Sequence, residues 1–231
     1  LTCGYYLVRI GYDVDVFEAH SVAGGVLAFV TLGYRLPKHV LQHEIDLIAK
    51  EGVNIHLNTE VGRDIGFKEL CTQYDAVYIA TGTQMPQKVN IPGENLPGVL
   101  HGINFLKDVN SGKHVRLGET VAVIGGGNTA IDSARTALRL DAKRVLLLYR
   151  RTRDAMPAYS DEVQAAIDEG VELAELVAPV RFIGSKTEGV TGIECIKMKL
   201  GEFDKTGRRK SVPDEGTEFV IEADTVIPAV S

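Results

Sequence analysis

The chain of 231 residues carries 31 acidic and 25 basic side chains, a formal net charge of −6 and a pI near 5.6. That balance argues against nucleic acid as the main partner. No apolar run approaches the roughly 18 residues needed to cross a bilayer, so no membrane partner is expected and the reading is a soluble, cytoplasmic chain. The length accommodates two modest domains, and 24 glycines exceed the average of about 7%, as repeated tight strand-to-helix turns require. Cys3, Cys71 and Cys195 lie far apart with no C-x-x-C pair. That spacing predicts reduced thiols, no redox disulphide and no cluster within the chain, since clusters are held by four thiolates in most cases.

The first ten residues read as a helix with small residues near its start. Tyr12-Asp13-Val14-Asp15-Val16-Phe17-Glu18 then reads as a hydrophobic strand ending in an acid. Leu1 is not Met and no secretory pattern precedes it, so the chain reads as a piece that starts inside that helix. Gly24-Gly25 offers backbone that can pass close to a ligand. Arg35-Leu36-Pro37-Lys38 leads into an amphipathic helix over residues 39–51 that Gly52 ends. Residues 53–61 alternate like a strand, residues 67–74 form a short helix, and residues 75–83 read as a buried strand closing on Thr81-Gly82. A Pro/Gly-rich connector over residues 85–98 is the expected boundary region.

Beyond a helix at residues 102–109 lies the most specific feature, Val121-Ala122-Val123-Ile124-Gly125-Gly126-Gly127-Asn128-Thr129-Ala130-Ile131-Asp132. It reads as strand, glycine turn and helix start. A second strand, Arg144-Val145-Leu146-Leu147-Leu148-Tyr149, ends at Arg150-Arg151. This is a dinucleotide-binding βαβ unit of the G-x-G-x-x-G/A type. Gly125 makes the tight turn, Gly127 lets backbone N–H groups approach a pyrophosphate, and small Ala130 lets the helix pack on the strand. The helix N-terminus presents donors and a positive dipole end to the phosphates. An acid commonly closes the second strand for NAD; Arg150 and Arg151 favour the 2′-phosphate of NADP.

Further on, residues 160–169 read as a helix capped by Ser160 and closed by Gly170. Residues 171–222 alternate strands and turns with a hairpin tip at residues 204–207, and residues 223–231 begin a strand that breaks off. Competing motifs are weaker. Tyr34 and Lys38 have Y-x-x-x-K spacing, but Pro37 between them opposes a regular helix across the pair. His39 and His43 lie one helical turn apart without a third metal ligand. Ser160-Asp161-Glu162 suits a helix start.

Residues 131–150 parallel residues 1–18, helix then strand, so the dinucleotide unit occurs twice, the first copy cut short and ending in Glu18, which suits a ribose hydroxyl. The expected fold is therefore α/β, two Rossmann-like dinucleotide-binding domains truncated at both ends. Residues 1–104, resumed near 222–231, form a partial FAD-binding domain, and residues 105–221 an NADP(H)-binding domain.

Together these motifs, with Ala80-Thr81-Gly82-Thr83, Met156-Pro157-Ala158 and Asp224 to Ser231, resemble the NADPH-dependent flavin module of the glutamate synthase small subunit family. Flavin domains of dihydropyrimidine dehydrogenase and of ferredoxin:NADP transhydrogenases are relatives of it. The resemblance implies hydride passage between NADPH and FAD and onward transfer to an iron–sulfur domain or partner subunit. It further implies that Glu18 binds the FAD ribose, Gly24 and Gly25 line the flavin's path, Val61 offers backbone to adenine, and Thr81 and Gly82 pass the pyrophosphate. Gly125, Gly126, Gly127, Asn128 and Thr129 would hold the NADP pyrophosphate, Arg150 and Arg151 the 2′-phosphate, and Ala229 to Ser231 would lie near the nicotinamide. The alternative is a non-catalytic NADP(H)-binding or regulatory domain.

Overall fold

The computed structural model describes residues 1–83, 85–203, 207 and 209–230. The chain divides between residues 84 and 85 into two compact units.

The first unit runs α1 (Thr2–Arg9), β1 (Val14–Phe17), α2 (Val26–Phe29), α3 (Lys38–Lys50), β2 (Val53–His56) and α4 (Phe67–Gln73). β1 and β2 pair in parallel from Val14 opposite Val53 to Phe17 opposite His56. The small residue near the start of α1 earns its place: a Cβ on buried Gly4 would stand 3.2 Å from Val14 Cγ1 and 3.4 Å from Val53 Cγ1. α4 is tied to β1 by the Tyr74 hydroxyl, which donates to Asp15 at 2.9 Å. The opposite Asp15 oxygen meets His56 Nε2 at 2.6 Å, and that hydrogen bond leads the causes holding the Asp15 carboxyl below its ordinary value. α3 starts one residue before the expected helix, with Pro37 as its N-cap. It ends as expected at Gly52, whose φ of 111° only glycine adopts readily.

Two expected strands differ. β2 stops at His56 rather than 61 because Asn58 turns to a φ of 54°. The backbone N–H groups of Asn58 and Thr59 donate instead to the carbonyls of His20 and Glu18, each at 2.9 Å. Residues 75–83 form no ladder among the described residues, and Val77, Tyr78 and Ile79 are exposed. An apolar run becomes a buried strand only where a neighbouring edge accepts its N–H and C=O groups, and this run pairs with neither β1 nor β2.

The second unit runs α5 (Gly102–Asn110), β3 (Thr120–Ile124), α6 (Asn128–Arg139), β4 (Arg144–Tyr149), a 3-10 turn (Arg153–Ala155), α7 (Ser160–Asp168), β5 (Glu172–Glu175), β6 (Val177–Ser185), β7 (Gly189–Phe203), β8 (Arg209–Pro213), β9 (Phe219–Glu222) and β10 (Thr225–Pro228). A parallel sheet has the order β10-β3-β4-β5, and β6 to β9 form an antiparallel meander centred on β7. The strands obey the period-two rule. Ala122, Ile124, Leu146 and Leu148 pack with Phe182, Val190, Ile193 and Cys195 of the meander. Val121, Val123, Val145 and Leu147 alternate to the other face and are equally buried. Each such side chain contributes about 1.5–3 kcal/mol relative to exposure, so this unit holds the main core.

Residues 85–104 and 222–230, read from sequence as parts of the first domain, lie in the second unit. Leu100 N donates to Val226 O at 2.8 Å, and every residue of β10 is buried beside β3. The hairpin tip expected at residues 204–207 falls, except for Gly207, outside the described residues. Ser160 is the first residue of α7 and makes no side-chain cap; Tyr159 is the N-cap, and Asp161 and Glu162 occupy the first turn.

Candidate functional site

β3 and β10 are neighbours at the point where the strand order reverses: β3 is followed through α6 by β4 and then β5 on one side, while β10 lies on the other. In open α/β sheets the crevice beyond the carboxyl ends of strands at such a reversal is where ligands bind. There a pocket of about 110 Å³ is lined by Gly127, Asn128 and Thr129 after β3, by Pro228, Ala229 and Val230 at the end of β10, and by Gly102 and Ile103 of α5. Of the expected nicotinamide-side residues, Ala229 is on this pocket and Ser231 lies outside the described residues.

The three glycines of the turn do different work. A Cβ on Gly125 would stand 2.3 Å from Ala229 O, and its φ is 146°. A Cβ on Gly126 would stand 2.3 Å from the Tyr149 ring, while one on Gly127 would meet nothing within 4 Å. The first two glycines let the backbone close on β10 and β4; the third leaves open space in front of α6. Gly127 is the N-cap of α6 and no side chain caps that helix, so its first N–H groups have no side-chain acceptor from the cap position. The Asn128 amide oxygen is instead turned to accept from Tyr159 N at 3.2 Å. Helix end, open glycine face and pocket fit a pyrophosphate.

Arg150 and Arg151 directly follow β4, Arg150 exposed and Arg151 partly buried. Arg151 Nε donates to the carbonyl of Arg209 at 2.9 Å. The β8 end of the hairpin thus reaches the strand tip, a contact nothing in the sequence signals. Between them a cleft of about 310 Å³ is lined by Thr152, Ala155, Met156, Leu200, Phe203 and Arg209. Behind the turn, α6 is anchored to α7: Arg135 donates to Glu169 at 2.6 and 3.1 Å and to Glu162 at 2.5 Å, and Arg139 donates to Glu169 at 2.8 and 2.9 Å.

In the first unit Glu18 follows β1, and its carboxylate accepts from His20 N at 2.9 Å. Gly24 and Gly25 have φ of 118° and 54°, and a Cβ on Gly25 would meet nothing within 4 Å. This open, left-handed turn fits a passing cofactor. Val61 and the Thr81-Gly82 pair are exposed, Val61 in an isolated bridge with Ile65 and Gly82 at a φ of 68°. Among the described residues no cluster of three or more His, Cys, Asp or Glu could hold a metal, and no helix is long and apolar enough to cross a membrane.

Residues 1–230 match the pyridine nucleotide-disulphide oxidoreductase family. The chain belongs to that family. A beta subunit of NADP(+)-dependent formate dehydrogenase from Moorella thermoacetica is 46% identical over all of this chain and 33% of that protein. The beta subunit of NADPH-Fe(3+) oxidoreductase from Geobacter sulfurreducens is 44% identical over all of this chain and 35% of its own length. The small chain of NADPH glutamate synthase from Azospirillum brasilense is 37% identical over 95% of this chain and 48% of its own. The chain thus spans between a third and a half of these relatives. FprA of Mycobacterium tuberculosis in complex with NADPH superposes with a TM-score of 0.83 at 19% identity, over 98% of this chain and 66% of that one. That likeness shows a shared α/β dinucleotide-binding fold. The three cysteines are free, Cys195 buried, Cys71 exposed and Cys3 intermediate.

Proposed function

We propose that this chain is the nucleotide-handling part of an NADPH-dependent flavin oxidoreductase that delivers electrons to an iron–sulfur domain or a partner subunit. The observation that carries the reading is the convergence of the glycine turn, the uncapped start of α6 and the end of β10 on one pocket at the reversal point of a parallel sheet. In this reading Gly125 to Thr129 hold the NADP pyrophosphate, Arg150 and Arg151 the 2′-phosphate, and Ala229 borders the nicotinamide. Glu18 accepts from the FAD ribose, Gly24 and Gly25 line the flavin's path, and Val61, Thr81 and Gly82 complete its cradle. NADPH and FAD, when bound, supply the hydride exchange. The chain's part is to fix both and exclude misalignment, a task that calls for position more than for an acid or base. The names of relatives at 37–46% identity support this assignment over a purely regulatory NADP(H) domain. Unpaired thiols accord with a cytoplasmic location.

The test is the full-length protein purified without added cofactor. Stoichiometric FAD, bleached by NADPH under anaerobic conditions, is expected. A colourless protein that binds NADPH but takes up no FAD would overturn the flavin role.

A further inference from the structure

Lys38 breaks a local rule. It is the first residue of α3, where an ammonium opposes the helix dipole. The cation is instead turned onto a different element. Its Nζ donates to the carbonyls of Ala28 at 2.7 Å, Thr31 at 2.8 Å and Leu27 at 3.3 Å. These are the carbonyls at and just beyond the C-terminal end of α2, the helix end where cations are favoured and carbonyls lack helical partners. α2 has only four residues, too few to persist by itself. Partial desolvation of the ammonium against this loop lowers its pKa from the ordinary value.

The same helix lies close to the other end of the loop. A Cβ on Gly24 would lie 3.3 Å from Leu41 and 3.4 Å from Ile45, both on α3. The segment from Gly24 to Thr31 therefore lies close against α3 at one end and is held at the other by the Lys38 ammonium. Between the two lies Gly25, left-handed and open on its Cβ side.

We infer that Lys38 is a positioning residue for the flavin: by stapling α2 to α3 it holds the Gly24-Gly25 turn in the shape that a cofactor passing it requires. With its three protons on three carbonyls, Lys38 acts through the loop and not as a ligand. The inference rests on the flavin role proposed above for the first unit.

The test uses the full-length protein as Lys38→Met, which keeps the stem and removes the donors, and as Lys38→Arg, which keeps charge and several donors. FAD affinity of the deflavinated protein is read by quenching of flavin fluorescence. Amide exchange over residues 24–31 is read without cofactor, and binding of 2′,5′-ADP reports an intact second unit. Lys38→Met should weaken FAD binding about tenfold or more, as loss of charge-assisted hydrogen bonds implies. It should speed exchange across the loop and leave 2′,5′-ADP binding unchanged, and Lys38→Arg should recover most of the FAD affinity. Lys38 is exposed; should the Met variant nonetheless not fold, Lys38→Gln is read in the same way. FAD affinity in Lys38→Met equal to the wild type, or an equal loss in the Met and Arg variants, overturns the inference. Wild-type protein that takes up no FAD overturns instead the function on which it rests.

Discussion

Gly125, Gly126 and Gly127 are adjacent, yet their replacement by alanine separates folding from binding. Gly125→Ala and Gly126→Ala each place a methyl 2.3 Å from a fixed neighbour, the Ala229 carbonyl or the Tyr149 ring. Each should destabilise the second unit by about 3 kcal/mol, the upper range for overpacking, seen as a lower denaturation midpoint. Gly127→Ala meets no atom within 4 Å and its backbone is extended, with φ −91° and ψ 174°. The melting temperature should be unchanged while NADPH binding weakens about tenfold, because the methyl occupies the space that backbone donors leave to a phosphate. Unchanged NADPH affinity in Gly127→Ala would remove the pyrophosphate from this turn. At the strand tip, the double replacement Arg150→Ala with Arg151→Ala should weaken NADPH by about a hundredfold, as loss of two charge-assisted contacts implies, and NADH by far less. Calorimetry giving equal losses for both nucleotides would refute the 2′-phosphate assignment.

Among elements, the joint between α6 and α7 is electrostatic where most of the unit is apolar. Arg135 is buried, its side chain 11% exposed, and Glu169 serves it and Arg139 together. The Arg135 hydrogen bond first, and then that of Arg139, hold the Glu169 carboxyl down at about 2. A carboxyl depressed in the folded state stabilises it above the ordinary value of 4.5, and that contribution is lost as pH falls from there towards about 2. Because Glu169 is partly exposed, solvent screening reduces the effect to about 1 kcal/mol. Thermal melts between pH 6 and pH 3 should show Glu169→Gln less stable than wild type at neutral pH and declining less steeply in acid. Parallel acid profiles would show that the pair contributes nothing. A loosened α6 also carries with it the N-terminus proposed to hold the phosphates, so NADPH affinity should fall in the same variant.

On the scale of the whole molecule, the core is concentrated in the unit that holds the parallel sheet, and Cys195 reports on it. The residue lies on β7 with no exposed surface. Burial first, with the nearby Glu194 charge second, pushes its thiol up to about 12. Since the thiolate is the reactive form, Cys195 should resist a thiol reagent at about pH 8 while exposed Cys71 reacts at once. In urea, Cys195 should become reactive together with loss of 2′,5′-ADP binding. Labelling of Cys195 as fast as Cys71 in native buffer would mean that the meander does not close over the sheet.

The amino-acid sequence by itself determined the second dinucleotide unit. Its information is local: a strand, three glycines, a helix start and a charged strand tip lie within about thirty consecutive residues, and steric and dipolar rules act at that range. The α3 boundary at Gly52 and the close packing of α1 through Gly4 were legible for the same reason. Tertiary structure decided what depends on partners distant in the chain. Residues 75–83 have a strand's composition but pair with neither β1 nor β2. The Thr225–Pro228 strand pairs beside β3 because Thr225 and Asp224 accept from Gly118 N and Thr120 N, more than a hundred residues earlier, which no local pattern encodes. The Arg209 carbonyl on Arg151 and the Lys38 staple on α2 were hidden likewise. A hydrogen bond to a backbone carbonyl leaves no trace in the identity of the residue that accepts it.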